Sequence, residues 1–248
     1  MVTMTELVKT EIDIKEYIKL YNSGVSLSVF PANTKDVNFT IFQSAPEDAH
    51  LIDRDKNYKL LFPLAGIKNF VNYDECKKFY MLPIRTCKGT IVGFIFRSYI
   101  GKQYASIYKS FKSKTSKVPI MYGWYKSFAN YDKHKKCMPI VVCEGAKDCI
   151  ALKKIYPFVL ANNTSSLGLN IPILRNISNK FILCYDNDDT GRESILNDKK
   201  ELRNLGCYVD SVVVKNHKDA AEAYYDKSTF YILRENLLKS IKVLMQSD

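Results

Sequence analysis

Between Cys76 and Tyr131 this chain has no aspartate or glutamate at all. The same stretch carries eleven lysines and arginines, among them Arg85, Arg97, Lys109, Lys112, Lys114 and Lys117. Elsewhere in the 248 residues the two signs balance, so the formal net charge of +11 comes from this one block. A segment without acids cannot neutralise itself, which points to a polyanion as its counter-ion or to a solvated Lys-rich loop. Other absences narrow the class. The seven cysteines, Cys76, Cys87, Cys137, Cys143, Cys149, Cys184 and Cys207, include no C-x-x-C pair. They therefore read as reduced, mostly buried thiols of a cytoplasmic protein rather than as a zinc or disulfide framework. No signal peptide and no bilayer-length apolar run is present, which argues against secretion and membrane insertion. A G-x-x-x-x-G-K-[ST] phosphate loop is also missing, so no ATPase motor is expected. With 46% hydrophobic residues the chain can nevertheless bury a sizeable core.

Three carboxylates stand where apolar runs end. Cys137-Met-Pro-Ile-Val-Val-Cys143 leads into Glu144-Gly145 and a helix-like stretch over 146–155. Lys180-Phe-Ile-Leu-Cys-Tyr185 stops at Asp186-Asn187-Asp188-Asp189-Thr190-Gly191, before a second helix-like stretch over 191–205 that Gly206 can terminate. Strands near 139–143, 157–161, 181–185 and 208–214, alternating with such helices, predict a parallel α/β sheet. In such a sheet the ligand site lies beyond the carboxyl ends of the strands, so Glu144, Asp186 and Asp188 share one rim. Crowded hard oxygens of this kind suit Mg²⁺ or Mn²⁺. Some of the acids at 186–189 are equally suited to capping a helix N-terminus, and Asp189 is assigned that role. The polar loop 162–168 lies on the same rim and reads as a connection, or as an approach to a phosphate. Upstream, segments 80–84 and 90–96 around Cys87-Lys88-Gly89 predict a hairpin. Arg97 on that apolar strand is costly without an anionic partner. Tyr104, Tyr108, Phe111, Tyr122, Trp124 and Tyr125 interleave the basic block and can stack on unpaired bases, with core packing competing for each.

Glu144-Gly145 after one strand and Asp186-x-Asp188-x-x-Gly191 after another resemble the TOPRIM domain shared by DnaG-type primases, topoisomerases and some nucleases. Leu82-Pro83-Ile84-Arg85, Lys88 to Phe94 with Arg97, and Lys117 followed by Met121-Tyr122-Gly123 resemble, in order, the segment that precedes TOPRIM in the RNA polymerase domain of bacterial and phage primases. Lys218-Asp219 is similar to the last acidic motif. The likeness spans roughly Tyr58 to Tyr225. It implies a Rossmann-like TOPRIM sheet joined to a strand-rich basic subdomain, with template and nucleotide held between them. It also implies metal ligation by Glu144, Asp186, Asp188 and Asp219. Arg85, Arg97, Lys109, Lys112, Lys114 and Lys117 would contact nucleotide or nucleic acid. Glu144 serves as metal ligand or general base, two roles that the residue type leaves open. The chain departs from the pattern in places. Ile107 precedes Tyr108 where the family commonly has Lys, with Lys109 two positions on as a substitute. Ala221 stands where a second acid usually follows Asp219, with Glu222 next to it. Phe30-Pro31-Ala32-Asn33 faintly resembles the C-P-x-H start of a zinc ribbon without two of its ligands, so no zinc site closes.

The expected organisation is a small N-terminal region over 1–57, either a degenerate zinc-ribbon remnant or an unrelated α+β cap containing a helix near Ile12 to Tyr21. A basic strand-rich subdomain follows over 58–136, then TOPRIM over 137–223 and a helical tail over 224–248. By resemblance the function is DNA priming: template-directed synthesis of short RNA primers on single-stranded DNA from ribonucleoside triphosphates. A separate replicative helicase would deliver the enzyme; the apolar face of the tail is expected to pack on its own domain, with helicase docking as the alternative. The Lys/Asn/Ile/Tyr-heavy composition suits a phage of low-GC genome, acting in the host cytoplasm. The alternatives are a TOPRIM nuclease or topoisomerase-related phosphodiesterase, and a catalytically reduced primase-like subunit that only binds nucleic acid. The upstream motifs Pro83 to Arg97 and Lys117 to Gly123 weigh against a nuclease, which does not need them.

Overall fold

A computed structural model describes residues 25–29, 50–51, 79–85, 91–98, 103–108, 121–124, 128, 131 and 138–247. The chain divides into two compact units, Met1–Ser110 and Phe111–Asp248.

Among the described residues of the first unit, β1 (Val25–Val29), β2 (His50–Leu51), β3 (Phe79–Arg85), β4 (Ile91–Ser98) and β5 (Gln103–Tyr108) form one antiparallel sheet in the order β1-β5-β4-β3-β2. The expected hairpin is there as β3 and β4, with Leu82 opposite Ile95 and a register shift between Ile84 and Arg85. Leu82, Ile84 and Ile95 are buried, as period-2 alternation on one covered face requires. Val25-Ser-Leu-Ser-Val29 received no assignment from the sequence, yet it has strict apolar/polar alternation, a strand pattern, and it pairs with β5. The turn at 87–89, the helix expected near Ile12 to Tyr21 and the zinc-ribbon-like Phe30 to Asn33 lie outside the described residues.

The second unit is built on a parallel sheet of β6 (Ile140–Cys143), β7 (Val159–Ala161), β8 (Lys180–Leu183) and β9 (Tyr208–Ser211) in the order β7-β6-β8-β9. β6 and β8 are buried along their whole length, which is why they read as unbroken apolar runs. Around them lie α1 (Ala146–Lys153), α2 (Ile171–Arg175), α3 (Asp189–Asn204), α4 (Ala220–Tyr225) and α5 (Lys227–Met245). β6 and β7 end where expected, whereas β8 and β9 stop short of the expected limits. One rung runs past each end, Cys184 N–H to the Val142 carbonyl at 2.8 Å and Val212 N–H to the Leu183 carbonyl at 2.9 Å, and then the chain turns onto the rim. α3 begins two residues earlier than expected, because Asp188 and not Asp189 caps it, accepting the Gly191 N–H at 2.9 Å. Its other end is the expected one. Gly206 takes φ +74°, and the Cys207 and Gly206 amides close onto the Leu202 and Arg203 carbonyls in a Schellman motif. α2, with proline in its first turn, was not foreseen after the 162–168 loop.

The tail after Asp226 is one helix whose Leu233, Leu237, Ile241 and Leu244 are buried at three- to four-residue spacing against β8, β9 and α4. Met121-Tyr122-Gly123 forms an antiparallel bridge to Ala161 at the β7 edge. Gly123 has φ +108°, and a Cβ there would lie 2.6 Å from the Val159 carbonyl oxygen and 2.8 Å from Cys149 Sγ, so only glycine fits. Of the interleaved aromatics, Tyr104 and Tyr108 lie in β5, and Tyr122 and Trp124 are core residues. Cys143, Cys149, Cys184 and Cys207 are free and buried, while the other three cysteines lie outside the described residues. Among the described residues no helix is long and apolar enough to cross a membrane.

Candidate metal centre

The parallel sheet delivers its acids to one rim. Glu144 follows β6, Asp186 and Asp188 follow β8, and Asp219 ends the segment after β9 and caps α4 by accepting the Glu222 N–H at 2.7 Å. A fifth acid joins them. Asp148, in the first turn of α1, brings one carboxylate oxygen to within 4.8 Å of one from Asp186 and one from Asp219, and these three also lie within that distance of each other. An ion with ligand bonds of about 2.1 Å spans oxygens up to about 4.2 Å apart, so the carboxylates need to draw in only slightly to share one. The all-oxygen donor set fits a hard divalent cation.

Asp148 escaped the sequence reading, although a signal was present. Its helix is buried at Ala146, Cys149, Ile150, Ala151 and Leu152, that is, nearly all round, and a carboxylate in such a helix has no solvent to face. Gly145 lets it in, since a Cβ there would lie 2.8 Å from Asp148 Oδ2. Its partner is the Ala221 N–H at the start of α4, at 3.0 Å. Ala221, the departure from the acidic pattern, therefore contributes its backbone to the site. Glu222 is used as a cap: its Oε2 accepts the Lys218 N–H at 3.0 Å.

Electrostatics separate the acids. Burial, then the charges of Asp219 and Asp186, push Asp148 well above the usual carboxylate range. Burial followed by the Asp186 charge pushes Glu144 up to about 7, against the Asp186 N–H that it accepts at 3.2 Å. Asp186 is raised by burial and by Asp219, and Asp219 by burial. Asp188 is lowered, chiefly by the Gly191 N–H. Such a cluster disfavours full ionisation until a cation arrives. Lys218 supplies a partial answer, with Nζ 3.3 Å from Asp186 Oδ2 and 3.2 Å from Asp188 Oδ2. Gly191 allows the closest approach of all: a Cβ there would lie 2.1 Å from the Asp186 carbonyl oxygen and 3.1 Å from Glu144 Oε1.

The basic residues are placed only in part. Arg85 ends β3, and Arg97 sits in β4 between Tyr80 and Tyr104 of the neighbouring strands. Lys109, Lys112, Lys114 and Lys117 lie outside the described residues.

Comparison with known proteins agrees with this architecture. A Toprim-like family model matches residues 141–224. The DNA primase of Staphylococcus aureus strain COL is 26% identical over 226 residues, covering 79% of this chain and 36% of the primase. The DNA primase of Escherichia coli K12 is 26% identical over 180 residues, covering 63% of this chain and 29% of its own length. The chain thus spans about a third of these curated relatives. Among solved structures, a DnaG catalytic core superposes with a TM-score of 0.58 at 17% identity, covering 94% of this chain and 79% of that one. A DnaG primase catalytic domain bound to single-stranded DNA gives 0.55 at 20% identity, with 91% and 71% covered. The chain is thus similar in sequence to bacterial DNA primases and shares the fold of a DnaG catalytic core, with a Toprim-like sheet over residues 141–224.

Proposed function

We propose that the chain synthesises short RNA primers on single-stranded DNA by Mg²⁺- or Mn²⁺-dependent nucleotidyl transfer. The observation that carries this reading is the convergence of Asp148, Asp186 and Asp219 on the rim of a Toprim-like sheet. Asp148, Asp186 and Asp219 hold the divalent ion, with Asp188 and Glu144 beside them. When bound, the ion neutralises the triphosphate and favours the ionised 3′-hydroxyl. That hydroxyl oxygen forms a bond to the α-phosphorus of the incoming ribonucleotide while the bond to pyrophosphate breaks. Glu144, with its carboxyl near 7, can take up the hydroxyl proton at neutral pH. The burial of Asp148 and Asp186 keeps the reacting groups in a low-dielectric setting, where fixed charges act strongly.

The remaining assignments rest on sequence and kinship. Residues 58–136 form the basic subdomain in which Arg85, Arg97, Lys109, Lys112, Lys114 and Lys117 contact template and triphosphate. Residues 1–57 form a small N-terminal region whose β1 and β2 join the sheet of that subdomain, 137–223 carry the chemistry, and 224–248 form the helical tail. The relative solved with single-stranded DNA supports that template class. A replicative helicase is the delivery partner that the resemblance to primases implies.

Incubating the full chain with single-stranded DNA, labelled ribonucleotides and Mg²⁺ or Mn²⁺ tests the proposal. Short RNA products that disappear in Asp186→Asn are expected. Shortened DNA in place of RNA would make it a nuclease, and binding without either product would make it a non-catalytic subunit.

A further inference from the structure

Lys218 reaches two rim acids at once, with Nζ 3.3 Å from Asp186 Oδ2 and 3.2 Å from Asp188 Oδ2, and Asp186 is one of the three clustered acids. Its main chain is fixed. The Lys218 carbonyl accepts the Asn187 N–H at 2.6 Å, its own N–H goes to Glu222 Oε2, and the Asn187 side chain donates to the Val214 carbonyl at 3.0 Å. Asn216, two residues before, holds the loop with φ +62°. Asp188 is fixed as well, because its other oxygen receives the Gly191 N–H. Only the Lys218 side chain is free to swing, and it is 54% exposed against 19% for Asp186. Its ammonium therefore occupies a carboxylate edge that a divalent ion would take, and it can leave without moving the backbone.

We propose that Lys218 is the resident counter-ion of Asp186 and Asp188, competing directly with the divalent ion for their oxygens and swinging out when the ion binds. This rests on the metal-site reading above. A tethered ammonium neutralises the acid pair at no translational cost, so the ion-free rim is tolerated, and the ion must displace it to bind. The displaced charge stays on the rim, tethered by its fixed main chain.

The test is Mn²⁺ binding to the full chain, followed through the electron paramagnetic resonance signal of the free aqua ion, without nucleotide or DNA. Lys218→Met and Lys218→Gln are each expected to tighten Mn²⁺ binding about three- to tenfold, the scale of two partly exposed ion pairs. Lys215→Met removes the same charge from the same loop and should change affinity by less than about twofold. Unchanged or weaker binding in both Lys218 variants overturns the inference, as does an equal gain in Lys215→Met, which would mean a general field rather than contact. Asp186→Asn separates the two levels. If it abolishes binding, the metal site stands whatever Lys218 does, whereas no saturable Mn²⁺ binding in the parent chain, or undiminished binding in Asp186→Asn, removes both.

Discussion

Glu144 shows what the rim costs the fold when no cation is bound. Its carboxyl is raised from an ordinary 4.5 to about 7, first by burial and then by Asp186. Between those values the folded chain holds a proton that the unfolded chain has released, so the ion-free protein loses stability as pH rises through that window and changes little above it. Glu144→Gln keeps an acceptor for the Asp186 N–H and removes the charge. It should be more stable than the parent at pH 8 by on the order of 1 kcal/mol, solvent screening included, and indistinguishable at pH 4.5. Urea titrations at the two pH values check this, and equal stability at pH 8 would show that Glu144 is not strained by its neighbours. In the parent chain, divalent-ion affinity should climb through the same window as the proton leaves. Two glycines offer a second residue-scale contrast. Gly191→Ala drives a methyl against the Asp186 carbonyl, and should cost about 2 kcal/mol or more and weaken ion binding. Gly206→Ala meets nothing within 4 Å and bears only the left-handed strain of φ +74°, about 1 kcal/mol with ion binding intact. Thermal melts and Mn²⁺ titration of the two variants read both differences.

At the scale of elements, two acids do double duty. Asp188 and Asp219 each use one oxygen to cap a helix, α3 and α4, while sitting at the rim. Capping and a place on the rim, set against each other when the sequence is read, are therefore compatible in one residue. Asp188→Ala should lose about 1 kcal/mol of stability through the missing cap, and Asp188→Asn, which can still accept from Gly191, less than about 0.5 kcal/mol. Both should lose primer synthesis. Chemical denaturation beside the primer assay separates these effects, and an active Asp188→Asn would remove Asp188 from the chemistry. α5 has a simpler role. Leu237 is wholly buried, so Leu237→Ala should destabilise by about 2–5 kcal/mol, and removing the chain after Phe230 should expose the back of the sheet rather than merely delete a docking surface. A truncated chain that melts like the parent would contradict this.

For the whole molecule, the separation of charge is the governing feature: an acid-free basic block upstream and a carboxylate rim downstream. If the block follows a single strand, Lys112→Glu, Lys114→Glu and Lys117→Glu together should lower the slope of log affinity against log salt by about 2, roughly 0.7 for each phosphate that is no longer neutralised. Fluorescence anisotropy with labelled single-stranded DNA over a salt series measures it. An unchanged slope would assign these lysines to a solvated loop.

The sequence alone determined the parallel βα order of residues 140–211, the rim position of Glu144, Asp186 and Asp188, and the Gly206 stop, while Asp219 was indicated only by resemblance. It could do so because buried parallel strands are continuous apolar runs and glycine is the residue that enters the left-handed region without strain. Asp148 was a different matter. In one dimension it is an acid in a helix, and only the packing of α1 against α4 brings it to the Ala221 amide and to Asp186 and Asp219. The choice of Asp188 over Asp189 as the cap, and the seat of Lys218 between two carboxylates, were likewise settled by tertiary structure. Periodicity reports which face of an element is covered, whereas ligand sets, caps and counter-ions depend on distances between segments far apart in the chain, and those exist only once the chain has folded.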